Sequence, residues 1–199
     1  AVAILSMFFT PATIAVAEKL QKMLDRVIPA SWGAGRMGSG AGSKKLEDHT
    51  IVVGYGMAGR NLVRALNAQG IAFMVVEYDP LLVRQEKRAG LNIMYGDASR
   101  PEVLNHAGLS LARNIVFTLS DPEVLLAAVE MAHRLNPAVN IIARARRTSQ
   151  VESLRERGAR FIITEEISGS VAISSEVLTL YSVPDAEVEE TVGNIHNSK

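Results

Sequence analysis

From Leu46 onward, short β-branched runs alternate with longer stretches whose apolar residues recur at helical spacing. The runs are residues 49–54 (HTIVVG), 72–77 (AFMVVE), 92–95 (NIMY), 113–119 (RNIVFTL), 139–144 (VNIIAR) and 160–164 (RFIIT). Helical patterns occupy 58–68, 81–89, 101–107, 122–135 and 149–157, and Gly70, Gly90, Gly108 and Gly158 stand where helices commonly stop. Strict alternation of β and α elements requires crossover connections, and crossovers make parallel sheets with helices on both faces. The pattern therefore predicts an α/β fold: a doubly wound, Rossmann-like parallel sheet of six strands in the order 3-2-1-4-5-6, its faces covered by these five helices.

Either side of this region the texture changes. Residues 1–17 (AVAILSMFFTPATIAVA) carry no charge, and Lys19, Lys22 and Arg26 follow at once. An uncharged run of this length is near the short limit of a membrane span, and flanking basic residues mark a cytoplasmic side. The preferred reading of 1–28 is the end of a transmembrane region, a last spanning helix with a juxtamembrane helix. A signal peptide, which lacks its basic leading region here, and a buried core helix are the alternatives. Pro11 favours the membrane, where neighbouring helices re-satisfy a freed carbonyl. Residues 29–47 are dominated by Gly, Ser and Ala and read as a flexible linker. Trp32 is either an interfacial anchor or a stray linker aromatic. After the sixth strand, residues 167–183 form a candidate dimerisation helix, with Val171, Ile173, Val177, Leu178 and Tyr181 as an apolar stripe. Residues 184–199, with Asp185, Glu187, Glu189 and Glu190, read as a mobile acidic tail.

Charge and composition narrow the chemistry. Twenty-one basic residues balance twenty-one acidic ones, which gives no electrostatic case for nucleic acid. The chain has no cysteine, so disulfides, thiolate nucleophiles and cysteine metal sites are excluded. His49, His106, His133 and His196 lie away from the C-terminal strand ends and read as surface or half-buried residues rather than bases or metal ligands. No catalytic or metal-ligating set is assigned, and about 35 residues after the sixth strand are too few for a substrate domain.

One motif does carry chemistry. Gly54-Tyr55-Gly56-Met57-Ala58-Gly59 is a G-x-G-x-x-G between the first strand and the first helix, where glycines permit a tight turn, close approach of a pyrophosphate and close helix–sheet packing. Glu77 ends the second strand 23 residues after Gly54, near the spacing of a carboxylate that accepts bonds from ribose hydroxyls. Asp97, with Ala98, follows the third strand at the same sheet edge, either on the ligand side or as a helix cap together with Ser99. Tyr55 and Tyr78 fall within these motifs and are counted with the candidate nucleotide-binding residues, as is Arg144. Arg144 and Arg146 end strand five and Glu165 and Glu166 end strand six, either solvated there or contributing to an anion pocket or subunit interface. Two functions of different class fit: a nucleotide-sensing regulatory domain that follows a membrane segment, or a fragment of an NAD-dependent oxidoreductase.

Taken together, Gly54–Gly59, the run VVEYDP at 75–80, Gly96-Asp97-Ala98, residues 142–146 (IARAR) and 158–165 (GARFIITE) resemble the regulator-of-potassium-conductance domain, also called KTN. Leu5-Ser6-Met7 with Thr10-Pro11 is similar to the last transmembrane helix of Kef-type monovalent cation:proton antiporters. The resemblance implies the C-terminal part of a potassium:proton antiporter at the cell inner membrane. Its Rossmann domain would lie on the cytoplasmic side, as a homodimer attached to the membrane transport domain of the same protein and to the bilayer through the N-terminal helix. It implies AMP, ADP or NAD(H) as ligand, with Gly54, Gly56, Met57, Ala58 and Gly59 at the phosphates, Glu77 at the ribose and Asp97 with Ala98 at the adenine. In glutathione-gated members a second ligand sits near the strand-five arginines, a stretch that Arg144 and Arg146 match.

Overall fold

The computed structural model describes residues 46–197, so the expected spanning helix and nearly all of the linker lie outside the described residues. The elements run β1 (His49–Val53), α1 (Met57–Ala68), β2 (Phe73–Glu77), α2 (Pro80–Arg88), β3 (Ile93–Tyr95) and α3 (Pro101–His106). They continue with β4 (Ala112–Phe117), α4 (Pro122–Leu135), β5 (Asn140–Ala145), α5 (Val151–Glu156), β6 (Phe161–Thr164), α6 (Glu165–Leu180) and α7 (Asp185–Asn197). All six strands form one sheet in the order β3-β2-β1-β4-β5-β6, parallel throughout. The expected order is the observed one.

Alternate residues of each strand feed two separate cores. Ile51, Val53, Val76, Ile115, Phe117, Ile141 and Ala143 pack with Leu104 of α3, Leu125 and Val129 of α4 and Leu154 of α5. The opposite face sends Val52, Val75 and Ile93 against Val63 and Leu66 of α1 and Val83 of α2. Burying side chains of this size contributes roughly 1.5–3 kcal/mol each, so both faces drive assembly.

The cover is uneven, which corrects the expectation that five helices enclose both faces. Because α1 and α2 reach only β1–β3, the same face of β4–β6 keeps Val116 and Ile142 half-buried and leaves Phe161 and Ile163 about half exposed. Three further expectations change. The acidic tail is helical over Asp185–Asn197 and packs on α6, burying Val188. The supposed single stripe of α6 divides between two faces. Val171 and Leu178, seven residues apart on one side, are half-buried, whereas Ile173, Val177, Leu180 and Tyr181, spaced four, three and one apart, form an exposed stripe on another side. His49, expected near the surface, is fully buried at the start of β1. Its Nε2 lies 2.9 Å from the Ala107 carbonyl and must donate to it, because a carbonyl only accepts.

Among the described residues, no helix is long and apolar enough to cross a membrane.

Candidate nucleotide-binding site

Strands β1 and β4 are neighbours, and each delivers the chain to the start of a helix at the sheet's C-terminal edge. The glycine segment after β1 meets two internal demands. Gly54 has φ +92°, and a Cβ there would lie 2.9 Å from Thr118 Oγ1. At Gly59 a Cβ would stand 2.1 Å from the Gly54 carbonyl oxygen, so only glycine lets α1 pack this close to the turn. Gly56 differs from both: its φ is −70°, and a Cβ would find nothing within 4 Å. Neither backbone conformation nor protein packing calls for glycine at position 56. The space in front of it is open.

Gly56 is also the N-cap of α1, and no side chain caps that end or places an acidic group in its first turn. The first N–H groups of a helix have no carbonyl one turn behind them, so those of Met57, Ala58 and Gly59 face the opening together with the positive end of the helix dipole. Met57 itself is 83% exposed. This is a cradle an anion fits.

Glu77 closes the cradle on the β2 side. Its Oε2 accepts from the Tyr55 amide at 2.6 Å, and its Oε1 accepts from the amides of Tyr78 (2.7 Å) and Asp79 (2.9 Å). A carboxylate offers about four lone-pair positions, so these three bonds leave about one for an outside donor such as a ribose hydroxyl. Tyr55 contributes through its backbone, because its ring is buried among Val63, Leu66 and Val83. Arg60 holds that ring from outside, its guanidinium 5.4 Å above the ring centre and its Nε 3.2 Å from the Tyr55 carbonyl. Burial, helped by the Glu86 charge and opposed by Arg60 and Arg64, raises the Tyr55 hydroxyl above its usual pKa, so it stays protonated at neutral pH. Tyr78 is exposed and stacks on Tyr95 at 5.7 Å between ring centres.

Beyond β3, Asp97 Oδ1 accepts from both the amide (2.9 Å) and the hydroxyl (2.7 Å) of Ser99, while its Oδ2 lies 3.8 Å from Arg100. The N-cap of α3 is Arg100 with no side-chain cap, which removes the helix-cap reading of Asp97 and Ser99. Ala98 is 5% exposed and belongs to the core, so only its backbone is offered to the edge. Arg144 donates from Nη1 to the Thr118 carbonyl at 3.2 Å, and its Nη2 is paired with Glu165 Oε1. Glu165 and Glu166 are the first turn of α6 rather than the end of β6. Glu166 accepts from the Thr148 amide and hydroxyl, and those bonds, the amide first, hold its carboxyl below the usual range. A depression of about 700 Å³ beside these residues is lined by Arg146, Arg147, Gln150, Glu165 and Glu166, charges of both signs.

The structure thus gathers the glycine segment and Glu77 into one cradle and sets Asp97 at the end of the edge strand that pairs with β2. Thr118 was missed by sequence reasoning. Its Oγ1 lies 3.1 Å from the Val53 carbonyl and 3.0 Å from that of Gly54, bracing the glycine turn from β4. A lone Thr after a strand carries no pattern that would have marked it. Among the described residues no group of three or more His, Asp or Glu could hold a metal ion.

A six-stranded doubly wound parallel sheet whose first helix begins at an uncapped glycine turn defines a Rossmann-like domain, and more can be said by comparison. Residues 50–165 match the model of the TrkA-N domain, and the chain belongs to that family. It is similar to the glutathione-regulated potassium-efflux system protein KefC of Cronobacter sakazakii, 28% identical over 144 residues, which make up 72% of this chain and 23% of that protein. Among solved structures, the Kef C-terminal domain of Shewanella denitrificans in its AMP-bound form is 28% identical, with a TM-score of 0.63 covering 73% of this chain and 88% of that one. The TrkA-N domain of the inner membrane protein ybaL from Escherichia coli is also 28% identical, with a TM-score of 0.62 over 64% of this chain and 95% of that one. The chain spans about a fifth of the length of the curated relatives it matches.

Proposed function

We propose that this TrkA-N domain senses an adenine nucleotide and regulates a potassium:proton antiporter of the Kef type at the inner membrane. The observation that carries the nucleotide reading is Gly56: a glycine with ordinary φ and no neighbour within 4 Å of its Cβ direction, capping a helix that has no side-chain cap. A phosphate seated there would receive the free N–H groups of Met57, Ala58 and Gly59, with one ribose hydroxyl on the remaining lone pair of Glu77 and the base toward Asp97 and the backbone of Ala98. The AMP in the Shewanella denitrificans relative supports an adenine nucleotide, and AMP, ADP or NAD(H) all present the groups this cradle accepts. The negative charge of Glu77 opposes a ligand phosphorylated at the 2′ position.

Residues 1–28 supply the membrane attachment in this reading, and 29–47 the linker to a transport domain. The working unit is a homodimer. The exposed stripe of Ile173, Val177, Leu180 and Tyr181 on α6 and the bare face of Phe161 and Ile163 on β6 are two apolar surfaces of one chain, and a second copy can cover both reciprocally. Isothermal titration of the 199-residue chain with AMP, ADP and NADH tests the site, and saturable binding of at least one is expected. Absence of binding by all three overturns it. Light scattering of Ile173→Asp/Val177→Asp tests the dimer, which should become a folded monomer.

A further inference from the structure

We propose that Arg144 is a positioning residue that couples the occupied glycine turn to α6, rather than a contact for the nucleotide itself; the inference rests on the nucleotide reading above. The coupling consists of four bonded or packed steps. The Gly54 carbonyl is confined on one side by Gly59, whose Cα approaches it so closely that a Cβ would stand 2.1 Å away, and on the other by Thr118 Oγ1 at 3.0 Å. The turn therefore cannot tighten around a phosphate without carrying Thr118 with it, because a close-packed contact transmits a displacement rather than absorbing it. The carbonyl of Thr118 in turn receives Arg144 Nη1 at 3.2 Å. The other arm of the same guanidinium, Nη2, is paired with Glu165 Oε1, and Glu165 is the first residue of α6.

A planar guanidinium holds its two arms at a fixed separation, so a shift of Thr118 is passed to Glu165 instead of being lost in side-chain rotation. The next residue, Glu166, is tied through its Oε2 to the Thr148 amide at 2.8 Å and hydroxyl at 2.9 Å. With Glu166 as a fixed point and Glu165 displaced, the helix pivots about its first turn. The far end of that helix bears the exposed apolar residues Val177, Leu180 and Tyr181, so a small rotation at Glu165 becomes a larger displacement of the stripe. Arg144 has both arms occupied within the chain, and its side chain is 31% exposed, which suits a strut better than a ligand contact.

Amide hydrogen exchange on the 199-residue chain, with and without saturating AMP, reads both ends of this coupling in one experiment. In the unaltered chain, AMP should slow exchange at residues 54–60 and change exchange across 165–180 by about fivefold or more, the lower end of ordinary coupling between sites. Arg144→Met and, independently, Glu165→Gln should keep the protection at 54–60 and lose most of the response of α6. The proposal is overturned if α6 responds as strongly in both variants, or if it fails to respond in the unaltered chain while 54–60 is protected. If 54–60 gains no protection from AMP, ADP or NADH, the nucleotide reading itself falls, and this inference with it. A purely structural role for Arg144 would show as faster exchange throughout the domain in Arg144→Met without AMP, and that result also overturns it.

Discussion

Two helices begin side by side at the same edge of the sheet, and they begin in opposite ways. At α4, Asp121 is the N-cap, and its Oδ1 accepts from the amides of Glu123 (2.9 Å) and Val124 (3.1 Å), with Pro122 filling the first helical position. At α1, Gly56 holds the same position with no side chain, no side-chain cap and no acidic residue in the helix's first turn. Two of the four orphan donors of α4 are answered within the protein; the corresponding donors of α1 are left facing open space. Replacing such a cap with alanine costs about 0.5–2 kcal/mol but with glycine only about a few tenths, so Gly56 leaves the donors of α1 open at little cost in stability. The difference teaches where to look for a ligand: at a helix start with neither a side-chain cap nor an acid in its first turn, since α3, α5 and α6 also lack the cap but carry such acids. Gly59 is explained by packing and Gly54 by packing together with its positive φ; Gly56 is the residue that neither explains.

Converting one start into the other is the sharpest way to break the comparison. Gly56→Asp should place a cap on α1 like that of Asp121, and thermal melts should show a fold at least as stable as the original. Calorimetry with AMP should at the same time show affinity lost by several kcal/mol, since a fixed carboxylate sits where the phosphate charge must go. Next in size, Glu77→Ala should weaken AMP binding by roughly 1–3 kcal/mol, the scale of hydrogen bonds to a charged group. A ligand lacking ribose hydroxyls should lose less, and an equal loss for both would move Glu77 out of ribose contact. Asp121→Ala is the matching change at the finished end. It should cost about 1 kcal/mol in denaturant unfolding and leave AMP affinity as it was. The smallest effect concerns acid. Because the bonds from Thr148 lower the carboxyl pKa of Glu166 in the folded chain, its contribution is present above the unfolded value of about 4.3 and is lost as pH falls through the folded one. Glu166→Gln should therefore flatten the acid limb of stability against pH, and an unchanged limb would show that the bond to Thr148 does not persist in solution.

The two halves of the sheet repeat the lesson on a larger scale. Over β1–β3 both faces are covered, by α1 and α2 on one side and α3 on the other. Over β4–β6 one face is covered by α4 and α5 and the other is not. A strand run such as FIIT at 161–164 reads as apolar on both sides, and its composition does not reveal that one of those sides lacks a helix in its own chain. The same holds for α6, where apolar residues lie on two faces and a single-stripe reading merges them.

Local rules wrote most of this molecule. Alternating β-branched and amphipathic segments determined the class of fold, because parallel strands need crossovers of one hand; the glycine turn after the first strand pointed to the order that the sheet adopts. Glycine spacing at 54, 56 and 59 and the acid at 77 marked the candidate site, because backbone conformation and strand ends are set within a few residues of each. The tertiary structure alone decided the rest. Whether a glycine is demanded by packing or by open space, as at Gly59 against Gly56, depends on atoms brought from Gly54 and Thr118. His49 is buried against Ala107 and Gly108, 58 and 59 residues further along the chain: its Nε2 meets the Ala107 carbonyl, and a Cβ on Gly108 would stand 3.1 Å from its ring. Arg144 has both arms engaged because β4, β5 and α6 converge on it, and convergence of segments distant in sequence is a property of the fold that no local pattern encodes.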